Sequence, residues 1–188
     1  MSASTSAEAT QMEDLQSILY TEEEIRSKVA ELGRRISEDY QGKDLVLVGI
    51  LKGGITFLAD LSRSITVPHQ YDLVGAQCYK GGTRPTQDVR ITKELDLPIR
   101  GRPVLLIEDI YDTGNTLHTI HTMIKMYQPA SLEICALLSK TKQHNQTLEI
   151  KYVGFEIEDV FVVGYGLDYK EFYRNLRCVG VLQPEIYR

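Results

Sequence analysis

The sequence predicts an α/β protein with a central parallel sheet flanked by helices. The apolar run from Val104 to Ile107 has no polar alternation, which is typical of a strand covered on both faces. A polar turn and a helical stripe follow it, and residues 132 to 138 then form another apolar run. This order of strand, helix and strand is typical of a parallel sheet, in which ligands bind at the carboxyl ends of the strands.

The other elements are predicted from capping and periodicity. Thr21 and Glu24 form a capping-box pattern, and apolar residues then recur at helical spacing up to Tyr40. A second helix after Gly54 is predicted to bury Ile55 together with residues 57, 58 and 61. The predicted strands cover residues 45–50, 71–79, 104–107 and 132–138, with strand-like pieces near 148–153 and 160–164. A helix is predicted over residues 117–127, and a polar loop over residues 80–88.

Length and composition predict one domain. A chain of 188 residues with 43% hydrophobic content can bury one core, which we expect over residues 18–188, after a disordered tail rich in Ser, Thr and Ala over residues 1–17. The net charge of −5 argues against a nucleic-acid partner. Three widely spaced cysteines indicate a reducing compartment, and no apolar run is long enough for a membrane span. We therefore expect a soluble, cytoplasmic protein with no membrane partner.

The most informative motif follows the apolar run of residues 104–107. It delivers three carboxylates, Glu108, Asp109 and Asp112, and then the turn Thr113-Gly114-Asn115-Thr116 at the start of a helix. Hydroxyl groups, a glycine and the positive end of a helix suit a bound phosphate. One alternative is that the acids merely cap the helix, but a cap needs a single acid. Three acids around a phosphate call for sugar hydroxyls, a divalent cation or a transferable proton, so the motif predicts a phosphorylated sugar with a metal.

Two other glycine motifs are not nucleotide fingerprints. Lys52 and Gly53 follow a strand end and suit an anion, but the glycine spacing differs from a Walker loop, and a solvent-facing lysine is the alternative. The segment from Gly164 to Tyr169 has Tyr169 where a dinucleotide fingerprint requires its third glycine. His118 and His121 are three residues apart, but no third metal ligand stands at a recognisable spacing.

At these residues the chain resembles the type I phosphoribosyltransferases, and within them the hypoxanthine-guanine phosphoribosyltransferase family. The acidic motif alone indicates only a site for phosphoribosyl pyrophosphate (PRPP), whereas Lys140 and the segment from Phe161 to Arg174 narrow the resemblance to 6-oxopurines. The similarity extends from about Thr21 to Tyr187. It implies the type I fold, with a central parallel sheet and a small hood formed by the terminal segments. It also implies transfer of the 5-phosphoribosyl group from PRPP to N9 of hypoxanthine or guanine, in a homodimer or homotetramer.

The resemblance assigns the PRPP side of the site. Lys52 and Gly53 are expected to bind pyrophosphate together with Arg174, whose alternative is an ordinary surface ion pair. Asp112 is the expected general base, acting on the N7 proton of the purine. The family often has lysine at the position of Asn115, so only the main chain of Asn115 is expected to contribute. The PRPP-binding residues are expected to be Lys52, Gly53, Glu108, Asp109, Asp112, Thr113, Gly114, Asn115, Thr116 and Arg174.

The resemblance also assigns the purine, the metal and a lid. The ammonium group of Lys140 only donates hydrogen bonds, so it can donate to O6 of a 6-oxopurine but cannot pair with the amino group of adenine, which is itself a donor. Phe161 is expected to stack on the base, with core packing as the alternative, and Val162 to offer backbone contacts. Mg²⁺ is expected as cofactor. The purine residues are Lys140, Phe161, Val162 and Asp168, the metal ligands Glu108, Asp109 and Asp168, and the lid residues Cys78, Tyr79, Gly81 and Gly82.

Two alternative functions follow from the same motifs. A xanthine-preferring phosphoribosyltransferase is the harder one to separate, because xanthine is also a 6-oxopurine. A non-catalytic regulator that senses PRPP is disfavoured because the chain keeps Asp112 and has no basic stripe for nucleic acid. The lid residues, finally, could form an ordinary mobile hairpin, although the reaction calls for a lid that excludes water.

Overall fold

The computed structural model describes residues 7–79, 88–141 and 148–187. Five helices and nine strands lie within this part of the chain. In chain order they are α1 (Ala7–Glu13), β1 (Leu15–Tyr20), α2 (Glu22–Asp39), β2 (Leu45–Leu51), α3 (Gly54–Ser64), β3 (His69–Tyr79), β4 (Asp88–Lys93), β5 (Pro103–Tyr111), α4 (Asn115–Met126), β6 (Ser131–Lys140), β7 (Tyr152–Ile157), β8 (Val162–Val163), β9 (Val179–Leu182) and α5 (Pro184–Tyr187).

A six-stranded sheet in the order β4-β3-β2-β5-β6-β7 forms the centre of the structure. Strands β3, β2, β5, β6 and β7 are parallel, and β4 is antiparallel to β3. The predicted parallel sheet is therefore confirmed, with one antiparallel strand at its edge. The carboxyl ends of β2, β5 and β6 lie side by side, as the predicted ligand site requires.

Helices cover both faces of this sheet. One core cluster includes Leu105 and Ile107 of β5 with residues of α2 and α3, and the other includes Val104 and Leu106 of β5 with residues of α4. All four of these side chains are fully buried. Burial of alternate residues on opposite faces explains why the run at residues 104–107 is apolar without alternation.

The predicted helices are confirmed with small corrections. Thr21 caps α2 by a reciprocal capping box with Glu24. Helix α4 begins at Asn115, two residues before its apolar stripe. Ile55 of α3 is 46% exposed, so its predicted burial is wrong, because the buried face of α3 is formed by Phe57, Leu58 and Leu61.

A second, antiparallel sheet in the order β1-β9-β8 joins the two ends of the chain. This sheet, here called the hood, confirms that terminal segments contribute a separate layer. The prediction of a disordered tail up to residue 17 is wrong from residue 7 onward, since α1 is helical and β1 pairs with β9. Met12 and Leu15 pack against a hood cluster that includes Val163 and Leu182. These partners lie more than 140 residues away, so no local pattern announced them.

The last part of the chain is the least well predicted. The strand-like piece near residues 148–153 is β7, shifted to Tyr152–Ile157, and the piece near 160–164 is the two-residue β8. Strand β9 was not predicted at all. Within the described residues, no helix has both the length and the apolar character needed to cross a membrane.

Candidate active site

The turn that connects β5 to α4 is built by a glycine. Gly114 is the N-cap of α4 and adopts a left-handed conformation with φ of 80°, which explains why glycine stands there. The N-cap of α4 is therefore a glycine and not one of the three acids. Around this turn lies a cavity of about 90 Å³. The cavity is lined by Glu108, Ile110, Tyr111, Asp112, Thr113, Gly114, Thr116 and Leu117.

Two carboxylates at the end of β5 are withdrawn from water. Glu108 is 8% exposed, and burial, followed by the charge of Asp109, raises its pKa well above the ordinary value. Burial also raises the pKa of Asp109 to about 6, although hydrogen bonds from the N–H groups of Ile110 and Asp109 itself and the charge of Arg174 act in the opposite direction. We call Glu108 and Asp109 the acidic pair. A buried acid beside a half-buried one is costly unless a ligand compensates the charge, so the acidic pair indicates such a ligand.

Glycines bring three distant segments together beside the acidic pair. A Cβ atom on Gly53 would lie 1.6 Å from Oδ2 of Asp109, and one on Gly166 would lie 2.2 Å from the carbonyl oxygen of Gly53. Gly166 also has φ of 102°, which favours glycine. The peptide bond between Leu51 and Lys52 is cis. The backbone of the loop after β2 therefore lies directly against the carboxylate of Asp109 on one side and against the segment around Gly166 on the other.

The two predicted pyrophosphate cations share one carboxylate. Oε2 of Glu171 lies 2.9 Å from Nζ of Lys52 and 3.4 Å from Nη2 of Arg174. Arg174 also pairs with Oδ1 of Asp168 at 2.8 Å and donates to the carbonyl oxygen of Gly166 at 2.7 Å. Lys52 is 61% exposed. Lys52 and Arg174 lie on different elements and meet here, as the predicted pyrophosphate site requires.

Lys140 lies at the carboxyl end of β6 between two carboxylates. It is 8% exposed, and its Nζ lies 2.9 Å from Oδ1 of Asp159 and 3.6 Å from Oδ1 of Asp112. The structure thus places the cation predicted to select the purine beside the residue predicted to handle its proton. Asp159 was not predicted to belong to the site.

Phe161 is a surface residue with one covered face. It is 36% exposed, so packing in the core, the alternative considered from sequence, is wrong. The ring of Tyr187 from α5 stacks on it with centroids 4.7 Å apart, and Tyr169 lies perpendicular to it at 5.8 Å. Val162 is 7% exposed and its strand pairs with β9 in the hood. This arrangement is compatible with the predicted stacking platform.

The metal and the lid receive less structural support. Among residues 7–79, 88–141 and 148–187, no three His, Cys, Asp or Glu side chains form a ready-made metal site. The backbone of Cys78 and Tyr79 ends β3. Gly81 and Gly82 lie outside the described residues, as do the side chains of Cys78 and Tyr79. The lid therefore stays a prediction.

Three residues near the site were missed by sequence reasoning. Asp159 follows Lys140 by 19 positions, so only the pairing of β6 with β7 brings them together. Tyr187 is a terminal residue whose partner Phe161 lies 26 positions earlier. Glu171 stands three residues before Arg174, a spacing that could have suggested an ion pair, but its contact with Lys52 has no local signal.

Comparison with known proteins agrees with this geometry. Residues 16–170 match the phosphoribosyl transferase domain family. The hypoxanthine-guanine phosphoribosyltransferase of Staphylococcus aureus is 47% identical over 174 residues, which cover 93% of this chain and 97% of that protein. The hypoxanthine phosphoribosyltransferase of Escherichia coli is 45% identical over 165 residues, 87% of this chain and 93% of that protein.

Solved structures show the same relationship in three dimensions. A crystal structure of a hypoxanthine phosphoribosyltransferase from Staphylococcus aureus superimposes with a TM-score of 0.92 at 45% identity. The match covers 97% of this chain and 100% of the other. The chain therefore belongs to the hypoxanthine-guanine phosphoribosyltransferase family.

Proposed function

We propose that this chain transfers the 5-phosphoribosyl group from PRPP to N9 of hypoxanthine or guanine, forming IMP or GMP and releasing pyrophosphate. The observation that carries the proposal is the approach of Lys140 to Asp112 at 3.6 Å, where Asp112 also lines the cavity at the start of α4. A cation that can only donate hydrogen bonds suits O6 of the purine, and a neighbouring carboxylate suits the proton on N7. The names of the relatives point to the same activity.

The separation of charge in this reaction is matched by the charges of the site. As the bond between C1 of ribose and pyrophosphate lengthens, the sugar gains positive character and the leaving group gains negative charge. Lys52 and Arg174, which meet at Glu171, are placed to stabilise the leaving group. Asp112 holds the purine N7 proton so that N9 becomes the better nucleophile. The start of α4, with Thr113 and Thr116, binds the 5-phosphate.

The acidic pair fits the ribose hydroxyls and a magnesium ion. Mg²⁺ prefers oxygen ligands and is commonly held by one or two carboxylates together with substrate phosphates, which agrees with the finding that no complete metal site exists among the described side chains. Glu108, Asp109 and Asp168 would hold it. When bound, Mg²⁺ neutralises negative charge on the pyrophosphate.

Assembly and location are part of the proposal. We expect a homodimer or homotetramer, as the resemblance to the family implies, and light scattering of the purified protein measures this state directly. The three cysteines are odd in number and widely spaced, which favours a reducing compartment such as the cytoplasm. Neither a nucleic acid nor a membrane is needed for the proposed reaction.

One assay tests the activity. Purified protein is supplied with PRPP, Mg²⁺ and one of five bases, namely hypoxanthine, guanine, xanthine, adenine or uracil, and pyrophosphate release is followed. Turnover with hypoxanthine and guanine, and at least about a hundredfold less with adenine, is expected. A higher kcat/KM for xanthine would replace the proposal by the xanthine alternative. Binding of PRPP without turnover of any base would favour the regulator.

A further inference from the structure

Burial makes Lys140 dependent on its partners. An ammonium group that is only 8% exposed is costly unless it is paired, and two carboxylates supply that pairing from different elements. Asp112 follows β5 and lies in the proposed catalytic site. Asp159 lies in the turn that follows β7 and has no role in the proposed chemistry.

The backbone fixes Asp159 beside Lys140. Lys140 pairs with Ile157 in the parallel register of β6 and β7, and the N–H of Thr141 donates to the carbonyl oxygen of Ile157 at 2.9 Å. The N–H of Val160 donates to the carbonyl oxygen of Glu158 at 2.9 Å, which closes the turn around Asp159. The shorter ion pair of Lys140, at 2.9 Å, is therefore made with a carboxylate whose backbone is held by hydrogen bonds.

We propose that Asp159 is a positioning residue for purine recognition, which holds the ammonium group of Lys140 toward O6 of the base and keeps it from pairing fully with Asp112. The inference rests on the proposed function. An ammonium group has three donors, so Lys140 can serve O6 while it keeps its hydrogen bond to Asp159. Without Asp159, Asp112 is the remaining carboxylate among the ion pairs that Lys140 makes with described residues. Lys140 then moves toward the group that must handle the N7 proton.

The first test separates purine from PRPP recognition. Asp159→Asn keeps the size of the side chain and removes its charge, and it is expected to raise KM for hypoxanthine and guanine by about tenfold, since hydrogen bonds to charged groups are among the strong ones. KM for PRPP is expected to stay within about twofold, because the described ion pairs of Lys52 and Arg174 are made with Glu171 and Asp168. Glu158→Gln, at the exposed neighbouring position, is the matched control and should leave both values unchanged. An equal rise of both KM values in Asp159→Asn would overturn the inference.

A double-mutant cycle tests whether Asp159 acts through Lys140. In a Lys140→Met background, Asp159→Asn should add less than about a twofold effect on purine KM, whereas Asp159→Glu in the native background should recover most of the loss. The same tenfold effect in both backgrounds would show that Asp159 acts by another route. Thermal unfolding of every variant identifies those that lose their fold.

A measurement of GMP binding tests the inference about Asp159 independently of the proposed function. If the unmodified protein turns over no base, the proposed function fails, but calorimetry with GMP still measures purine binding. Asp159→Asn is then expected to weaken GMP about tenfold relative to Glu158→Gln. Equal GMP affinity in the two variants would refute the inference about Asp159 and would leave the proposed function untouched.

Discussion

Two regions of the site hold their functional groups by different means. The strand-to-helix region, residues 103–126, places its groups by backbone geometry, namely the end of a buried strand, a left-handed glycine and the start of α4. The hood-side region, residues 159–174, places its groups by ion pairs and by unusual backbone conformations. Within it Tyr165, Lys170, Glu171 and Tyr173 all have positive φ angles without being glycine.

The difference indicates where each region can adapt. A backbone cradle for an anion is preformed and costs little reorganisation when the phosphate binds. The ion pairs of Lys52 and Arg174 with Glu171 are instead made within the protein, so a pyrophosphate has to compete with them. Non-glycine residues at positive φ are strained, and this strained backbone persists only where other contacts hold it in place. One such contact holds Glu171, whose N–H donates a hydrogen bond to the carboxylate of Asp168 at 2.9 Å.

The largest effect on activity is expected at Asp112, the residue of the strand-to-helix region that is proposed to take part in the chemical step. Asp112→Asn should lower kcat by about a hundredfold or more, because the amide cannot accept the N7 proton, while the backbone cradle keeps PRPP binding within about threefold. Steady-state kinetics with PRPP and hypoxanthine measure both values. Asp44→Asn, at the opposite end of the sheet and paired with Arg102, is the control with an exposed aspartate. An unchanged kcat in Asp112→Asn would remove this residue from the base role.

A second prediction concerns Gly53, which lies between the two regions, against Asp109 of the first and Gly166 of the second. Gly53→Ala would place a methyl group 1.6 Å from Oδ2 of Asp109 and must displace that carboxylate. We expect kcat/KM to fall by about a hundredfold, a typical cost of misplacing a site by about 1 Å.

The matched control for Gly53→Ala uses a glycine with open surroundings. Gly101 has φ of 72° and no atom within 4 Å of an added Cβ, so Gly101→Ala should lower the melting temperature slightly and leave kcat/KM unchanged. If both variants retained full activity, close packing at Gly53 would not be needed for the site.

The two regions also differ in what could be predicted from the sequence. The strand, the turn and α4 were predicted correctly because periodicity, a glycine and neighbouring acids are local signals. The hood-side ion pairs join distant positions: Lys140 and Asp159 are 19 residues apart, and Lys52 and Glu171 are 119 residues apart. No local sequence pattern predicts such a pair. The hood was implied by resemblance only, because α1 and β1 owe their order to contacts with the other end of the chain.

A third prediction concerns Asp109, which is expected to lower the stability of the protein at high pH while it contributes to PRPP binding. The pKa of Asp109 is raised to about 6, so its contribution to folding is present at low pH and is lost as the pH rises through about 6. Asp109→Asn should therefore stabilise the ligand-free protein at pH 8 by roughly 1 to 3 kcal/mol and give no gain at pH 4. It should also weaken PRPP binding. Urea unfolding at the two pH values measures the stability difference.

Asp72 provides the control of opposite sign. Burial opposes its ionisation, but its carboxylate accepts hydrogen bonds from the N–H groups of Leu97, Leu73 and Asp96, and together these lower its pKa. Its contribution is present at neutral pH and lost as the pH falls through the lowered pKa. Asp72→Asn should therefore destabilise the protein at pH 8, and stabilisation by both variants would contradict the electrostatic account.

The smallest effect is expected at the ion pairs that Glu171 makes with the two cations of the proposed pyrophosphate site. Lys52 and Glu171 are 61% and 62% exposed, and exposed pairs contribute little, so Glu171→Gln should change stability only slightly. It also removes the carboxylate that competes with pyrophosphate for Lys52 and Arg174. KM for PRPP and the inhibition constant of pyrophosphate should both fall by about two- to fivefold, with KM for hypoxanthine unchanged. Glu185→Gln, in α5, is the exposed control. A rise of KM for PRPP in Glu171→Gln would mean instead that Glu171 arranges the two cations for the substrate, and the hood-side region would then be as preformed as the strand-to-helix region.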